Sequence, residues 1–198
     1  MGEIKSTWEL AMERTADIKS DKTAVRKNEL KKTGQKIASD YMNSETPEPK
    51  NLQKAIKEYK GDERNTVESS AVEILLSHIS LPRDENFQER LNYVEKGLKA
   101  LVGKDSQLSS VLQQVSQFFT QYLQHREQLT EQVKQQYEPQ LRQKQQNLTR
   151  QYGYEIELKP EQDPEYTQLL QRHMQQLEQQ YQNALNEVKD QIRSFYGD

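Results

Sequence analysis

Apolar residues recur at steps of three and four along most of this chain, a spacing that predicts amphipathic α-helices. Residues 4–18 predict a first helix, and a weaker stripe over residues 25–41 predicts a second one, loosened at Gly34. Two prolines within Ser44–Pro49 predict a linker, because proline cannot continue a helix. A short helix ending at Gly61 follows. The sequence therefore predicts N-terminal amphipathic helices over residues 1–43 and a linker with a short helix over residues 44–63.

The next segment carries the richest apolar pattern. One stripe runs from Val67 to Ile79 and is broken before Pro82, and another runs from Phe87 to Leu101 and is closed by Gly103. A helix with one apolar face must bury that face against a neighbour. We therefore predict a small helical bundle over residues 64–105.

Beyond Ser106 the apolar positions alternate by fours and threes, which is heptad spacing. The stripe resumes after Pro139, so we expect a kink there and a helix that continues to residue 152. Asp163 followed by Pro164 predicts the start of a last helix, because aspartate caps helices and proline suits the first helical position. Two long helices joined by about ten residues fold back as a hairpin. The prediction for residues 106–198 is an antiparallel coiled-coil hairpin with arms over 106–152 and 164–196.

The turn of this hairpin is predicted at Gly153, since glycine takes positive φ without steric cost. Folding the chain about residue 158 places Phe195 beside Tyr122. The residues from Tyr154 to Leu158 alternate between apolar and acidic, which favours a short strand at the hairpin tip. The predicted fold class is thus all-α, a small helical bundle with a long antiparallel coiled-coil helical hairpin and a short strand at its tip.

Composition agrees with a thin molecule. Only 32% of the 198 residues are hydrophobic, 30% are charged, and the net charge is −3. The low apolar share excludes a thick spherical core, and the charge balance argues against a disordered polyelectrolyte. The chain has no cysteine, which excludes disulfides and thiolate chemistry. Because no apolar run reaches the roughly 18–20 residues of a membrane span and no leader pattern opens the chain, we expect a cytoplasmic protein that does not engage a membrane.

The chain offers few catalytic parts. His78, His125 and His173 do not meet in the predicted hairpin, and no phosphate-cradling glycine loop, Gly-x-Ser-x-Gly elbow or His-Glu-x-x-His motif occurs. The acidic cluster over 155–165 has two interpretations, a site for a cation or basic partner and a solvated turn whose last acids favour the following helix N-terminus. We favour the second. The prediction is a protein that is not an enzyme and has no catalytic residue, cofactor or metal.

A protein-binding role follows from these exclusions. We expect a scaffold, adaptor or assembly subunit that binds protein through helical surfaces, with candidate contacts at Trp8, Tyr137, Tyr152 and Tyr154. Packing of Trp8 on the bundle is the competing interpretation of that residue. Glutamine is abundant beyond Ser106, either as a helix former on solvated faces or as a binding face. Self-association into an oligomer is a further expectation, because a two-helix arm leaves apolar edges that a second pair can cover.

The alternative function is association with nucleic acid through the basic segment Lys19–Lys36. Phosphate contacts would come from Lys22, Arg26, Lys27, Lys31 and Lys32. These positions circle the helix, and no aromatic residue is interleaved with them for base stacking. We therefore favour a solvated or acid-binding helix over a nucleic-acid surface.

The opening Met1-Gly2-Glu3-Ile4-Lys5-Ser6-Thr7, followed by Glu9 and by Glu13-Arg14-Thr15, resembles uncharacterised bacterial proteins described only as conserved hypotheticals. The resemblance covers residues 1–15, and it implies a bacterial cytoplasmic protein without implying an activity. The same opening fits a myristoylation pattern at Met1-Gly2 with Ser6 and a helix capping box at Ser6 with Glu9. We favour the capping box.

Overall fold

The computed structural model describes residues 7–102 and 106–196, with side chains over 22–101 and 107–196. These residues form helices and no strand, which confirms the all-α class. The helices are α1 Thr7–Met42, α2 Pro49–Lys57, α3 Gly61–Ser77, α4 Phe87–Val102, α5 Ser106–Tyr152 and α6 Pro164–Ser194. Across the described part of the chain, no helix combines the length and the apolar content that crossing a bilayer requires.

The chain divides into two compact units. Among the described residues, the first unit contains 7–79 and 90–102, and the second contains 80–89 and 106–196. The first unit therefore includes the predicted N-terminal segment together with most of the predicted bundle. The predicted arms over 106–152 and 164–196 correspond closely to α5 and α6 in the second unit.

The N-terminal segment contains one helix where the sequence predicted two. Helix α1 runs unbroken through Gly34, at which we expected loosening. A Cβ atom at this position would lie 2.1 Å from the carbonyl oxygen of Val67 and 3.0 Å from the Cβ of Ser70. A glycine inside a helix costs about 1 kcal/mol relative to alanine. Here the residue permits the backbones of α1 and α3 to approach closely, and this packing maintains the helix.

Helices α1 and α3 run in the same direction. Arg26 lies beside Glu63 near the start of α3, with 2.8 Å between Nε and Oε1, and Gly34 lies beside Val67 further along both helices. The short helix α2 packs against both and returns the chain between them. Helix α4 closes this unit through Tyr41, whose hydroxyl donates to the carbonyl oxygen of Tyr93 at 2.8 Å.

The core of the first unit draws on all four helices and on Ile79, the second residue after α3. Its buried apolar side chains share exposures of 8% or less, and they are Leu30, Ala38, Tyr41, Leu52, Ile56, Val67, Ala71, Val72, Leu75, Leu76, Ile79, Leu91, Val94 and Leu98. Because α1 and α2 contribute to this core, the N-terminal helices pack on the predicted bundle.

Among the residues that the structure describes, two glycines have positive φ, and only one of them ends a helix as predicted. Gly153 has a φ of 76° and closes α5, with its N–H donating to the carbonyl oxygen of Thr149 at 2.9 Å. Gly61 was predicted to end the short helix. Instead α2 ends at Lys57, and Gly61, with a φ of 54°, is the first residue of α3. The predicted glycine stop at residue 103 and the capping box at Ser6 lie outside the described residues.

In the second unit, α5 and α6 lie side by side in opposite directions. The rings of Tyr137 and Tyr166 have centroids 5.6 Å apart, and those of Tyr122 and Tyr181 have centroids 5.0 Å apart. Helix α5 is continuous across Pro139, as predicted, and the kink expected there stays a prediction. The coiled-coil form of the pair stays a prediction.

The register of the two helices differs from the prediction. Tyr122 meets Tyr181 instead of Phe195, an offset of about four helical turns. The reason lies in the segment after Gly153, which runs back along the end of α5. The N–H of Ile156 donates to Thr149 Oγ1 at 3.4 Å, and Gln145 Nε2 donates to the carbonyl oxygen of Leu158 at 2.9 Å. Helix α6 consequently begins well inside the end of α5.

The predicted strand over residues 154–158 does not form. The backbone of Ile156 and Leu158 bonds to side chains of α5 and not to a second strand. An alternating pattern fits a strand only when a neighbouring strand supplies backbone partners.

The contact at Gly34 gives a direct test of the packing of α1 on α3. We expect Gly34→Ala to lower the free energy of unfolding by about 3 kcal/mol, because the new methyl group meets rigid backbone. In Gly97→Ala the methyl group would meet the Tyr41 ring at 2.9 Å and the methyls of Leu75 at 3.1 and 3.2 Å. These contacts are with side chains and not with backbone, so we expect a smaller loss of about 1 kcal/mol. Denaturant unfolding measures both, with the exposed Gln35→Ala as control, and equal losses would contradict the close approach.

The register of the hairpin is testable with spin labels, since the chain has no cysteine to compete with engineered ones. We expect labels at Gln121→Cys and Gln180→Cys to lie close together. Labels at Gln121→Cys and Ser194→Cys should lie farther apart by about 20 Å, the length of four helical turns. Pulsed dipolar spectroscopy measures both distances. A 121–194 distance shorter than the 121–180 distance would instead support the register predicted by folding the chain about residue 158.

Candidate functional site at the turn between α5 and α6

Tyr152 and Tyr154 form an exposed aromatic pair at the turn between α5 and α6. Their side chains are 55% and 64% exposed, and their ring centroids lie 6.2 Å apart. The third tyrosine that we proposed as a contact, Tyr137, is only 2% exposed and lies between the two helices, so its ring is not available to a partner in this conformation. The side chain of Trp8 lies outside the described residues.

Gly153 is the reason that the two exposed rings are neighbours. Its positive φ reverses the chain directly after the last residue of α5. Glycine adopts this conformation without the clash that a Cβ atom causes, and nothing lies within 4 Å of the position where its Cβ would be. The reversal brings Tyr154 back beside Tyr152 and directs the following residues along α5.

A hydrophobic cluster supports the turn from within the helix pair. The buried members are Val133, Tyr137, Leu141 and Tyr166, and the half-buried members packed on them are Leu129, Leu158, Leu169 and Leu170. Leu158 is the one member contributed by the returning segment. It therefore connects the turn to the packed part of the helix pair.

A buried polar network, which we call the Asp163 clamp, joins α5 to the start of α6 through Asp163, Lys144 and Tyr137. The carboxylate of Asp163 is 3% exposed and accepts the N–H of Glu165 at 3.0 Å, which caps α6. The Tyr137 hydroxyl donates to its Oδ2 at 2.8 Å. Lys144 Nζ donates to both carboxylate oxygens, at 2.8 and 3.0 Å, and to the Tyr137 hydroxyl at 2.9 Å. The buried charge thus has four donor contacts and a cationic partner.

The pKa shifts of the clamp residues keep each residue in the protonation state that its hydrogen bonds require. Burial raises the pKa of Asp163, but the hydrogen bonds from Lys144, Tyr137 and the Glu165 amide outweigh it, so the net pKa lies below the ordinary value. The hydrogen bond to Asp163 raises the pKa of Lys144. Burial raises the pKa of the Tyr137 hydroxyl, which therefore stays protonated and able to donate. The clamp holds one carboxylate, one ammonium and one neutral phenol at neutral pH.

The acidic residues of the turn separate into two groups. Asp163 belongs to the clamp, and Glu165 contacts Lys144 Nζ at 2.9 Å. Glu155, Glu157 and Glu161 are exposed to solvent. The described residues contain no group of three or more histidine, aspartate or glutamate side chains placed to hold a metal ion. His125 makes a 2.6 Å hydrogen bond with the hydroxyl of Tyr181.

The basic residues proposed for nucleic-acid contact lie on α1 of the first unit. Lys22, Lys27, Lys31 and Lys32 are all exposed. Arg26 is engaged by two carboxylates, Glu63 at 2.8 Å and Glu29 at 3.6 Å, and the hydrogen bond and charge of Glu63 raise its pKa. Nucleic-acid contact through this surface stays a prediction.

Sequence reasoning found part of this site. It identified Tyr152, Tyr154, the turn at Gly153 and the cap at Asp163, but it did not connect Asp163 with Lys144. The available signal was the seven-residue spacing from Tyr137 to Lys144, which places both on one face of α5. That spacing does not reveal which residue of α6 faces them, because the partner depends on the register.

Comparison with known proteins gives a family and no named relative. Residues 53–194 match the model of one family, described as a family of unknown function (DUF6657). No curated protein matches the chain, and no solved structure does. The resemblance of the opening residues to uncharacterised proteins agrees with this result.

Substitutions at Asp163 separate its capping role from its charge. We expect Asp163→Ala to lower the free energy of unfolding by about 3 kcal/mol, since it removes both the cap and the acceptor of two α5 donors. Asp163→Asn keeps a capping oxygen and should cost less. Denaturant unfolding measures both variants, with Glu161→Ala as an exposed control that we expect to change stability by no more than about 0.5 kcal/mol. Equal losses in the alanine and asparagine variants would assign the whole effect to the charge.

The pH dependence of the same variants tests the lowered pKa. An acid whose folded pKa is depressed stabilises the fold above its unfolded pKa, about 3.9 for aspartate, and loses that contribution as the pH falls through the folded pKa. The stability difference between the natural protein and Asp163→Asn should therefore be complete at pH 7 and shrink below about pH 4. A difference that stays constant down to pH 2 would contradict the ionised clamp.

Proposed function

The chain belongs to the DUF6657 family, and because no relative supplies an activity, we propose from the geometry that it is a non-catalytic protein-binding subunit that contacts its partner through Tyr152 and Tyr154. Its role would be that of a scaffold, adaptor or assembly subunit. The proposal rests on the exposed tyrosine pair, which lies on a turn supported by the hydrophobic cluster and the Asp163 clamp.

Exposed tyrosines at one place favour a protein contact on physical grounds. Large aromatic side chains dominate the energetics of protein interfaces, and tyrosine adds a hydroxyl that can bond at the wet rim of a contact. Most exposed apolar residues occur singly and need no explanation. Two rings with 6.2 Å between their centroids form a larger surface.

The support beneath the pair strengthens the proposal. A partner pays less conformational entropy when the surface that it binds is already ordered. Gly153 fixes the reversal, Leu158 packs into the hydrophobic cluster, and the Asp163 clamp fixes the start of α6. The rings are thus carried by a preorganised turn, which is how rigid scaffolds usually present binding residues.

The extent of the family match is consistent with this choice of surface. The matched residues 53–194 include the turn and the whole of α5 and α6, whereas the basic residues precede them, at Lys22, Arg26, Lys27, Lys31 and Lys32. Within the proposal, the partner is either a different protein or a second copy of the chain. A cytoplasmic location belongs to the same proposal.

A photo-crosslinking amino acid placed at single positions tests the proposal in the native cell. We expect p-benzoylphenylalanine at position 154 to give a discrete covalent adduct, because a bound partner lies against this ring. The same amino acid at the exposed position Gln179 on α6 serves as the matched control and should give no such adduct. Mass spectrometry of the adduct distinguishes a second copy from another protein.

A second variant makes the result specific to the pair. Tyr152→Ser, which changes an exposed side chain and should alter stability by no more than about 0.5 kcal/mol, is expected to reduce the adduct at position 154 at least fivefold. The proposal fails if position 154 yields no adduct, or if position 179 yields the same adducts as position 154.

A further inference from the structure

A small cavity in the first unit lies where α1 ends and α2 begins. Its volume is about 250 Å³, below the range of roughly 300–1,000 Å³ that is typical of sites for drug-sized ligands. Ile37, Tyr41, Leu52 and Ala55 provide its apolar wall, and Asp40 and Glu48 are among the polar residues that line it. A space of this size and composition suits one short apolar chain with a polar end.

The charges at this cavity are uncompensated negative ones. The C-terminal end of a helix carries a partial negative charge, which basic side chains usually offset. The last turn of α1 contains Asp40 and no basic residue. Among the described residues, the carboxylates of Asp40 and Glu48 take part in no ion pair or hydrogen bond. Two exposed carboxylates and a helix C-terminus therefore act on the same small space.

The N-terminus of α2 also lies at this cavity and has the opposite polarity. Glu48 is its N-cap residue, but the Glu48 side chain makes no capping hydrogen bond, and Pro49 at the first position has no N–H to offer an anion. The negative charge of Glu48 already opposes the positive end of this nine-residue helix. The sum of these charges at the cavity is therefore negative, which favours a cation as its occupant.

Tyr41 lines the cavity, but its hydroxyl bonds to Tyr93, which is not part of the lining. The hydroxyl donates to the carbonyl oxygen of Tyr93 at 2.8 Å. Burial, with a smaller effect of Tyr93, raises the pKa of Tyr41 to about 12, so the phenol is neutral at physiological pH. The cavity wall thus combines apolar surface with charges that belong to Asp40 and Glu48.

We propose that this cavity binds a primary alkylammonium group, either of a free short-chain amine or of a lysine side chain. The ammonium lies at the carboxylates of Asp40 and Glu48, where it neutralises the charge at the end of α1. The methylene chain lies along Ile37, Leu52 and Ala55, as the stem of a lysine covers apolar surface while its charged end stays in a polar environment. This inference is independent of the proposed protein contact at Tyr152 and Tyr154.

Titration of the full chain with matched four-carbon probes tests the site. We expect n-butylammonium to shift the methyl NMR signals of Ile37 and Leu52 in a saturable way. The neutral probe n-butanol and the anionic probe butyrate have the same chain length, and we expect each to bind at least tenfold more weakly. Equal binding of n-butanol, or tighter binding of butyrate, would overturn the proposal.

Variants of the two carboxylates provide the second test. Asp40 and Glu48 are exposed, so the double variant Asp40→Asn with Glu48→Gln should fold normally, which circular dichroism verifies. We expect it to weaken n-butylammonium binding at least tenfold, while the control Glu58→Gln, an exposed acid that does not line the cavity, changes it less than twofold. Unchanged binding by the double variant would refute the site.

The source of the ammonium group is decided by a further probe, lysine capped at both its amino and carboxyl ends. Tighter binding of capped lysine than of n-butylammonium would assign the site to a lysine side chain of a protein. Weaker binding would assign it to a free amine. Both results retain the site, whereas absence of binding by both probes removes it.

Discussion

The buried carboxylate of Asp163 is the constraint on which the second unit depends. A charge that is 3% exposed is costly unless it is paired and fully hydrogen-bonded, and only Lys144 and Tyr137 of α5 together with the first turn of α6 satisfy it here. Another register of the two helices would leave this carboxylate without its donors. The clamp therefore fixes which residues of α5 and α6 meet, and with them the position of the turn that carries Tyr152 and Tyr154.

The first unit is subject to a different constraint, because the chain has few large apolar side chains with which to build a core. Only 32% of the chain is hydrophobic, so its helices must pack closely to exclude water. Gly34 lets the backbones of α1 and α3 come together, and Gly97 admits the ring of Tyr41 beside Leu75. The cavity at the end of α1 lies next to this tight packing. It joins an apolar wall to two carboxylates that no described side chain neutralises.

The two places that we assign to binding use different chemistry. The turn offers aromatic surface supported by an internal polar network, which is suited to a broad contact with another chain. The cavity offers a few apolar side chains and negative charge, which is suited to one small cationic group. Sequence reasoning named the two tyrosines as candidate contacts, and both flank the glycine at which the turn was predicted. It did not identify the cavity, whose residues are unremarkable until α1 and α2 bring Asp40 and Glu48 to one space.

The sequence alone determined the class of the fold and the limits of α5 and α6. Heptad spacing, the pair Asp163-Pro164 and Gly153 are local signals, and they located the ends of α5 and the start of α6 correctly. The tertiary structure decided the rest, because it depends on contacts between residues that are distant along the chain. From the sequence, Gly34 predicts a weakened helix, but the structure shows that it allows close packing against Val67. From the sequence, residues 154–158 predict a strand, but in the structure they bond to side chains of α5. Likewise, the sequence suggests Tyr137 as a surface contact, whereas in the structure its hydroxyl donates to Asp163 in the interior. Local preference specifies which segments become helices, whereas packing and the pairing of buried charge specify how those helices meet.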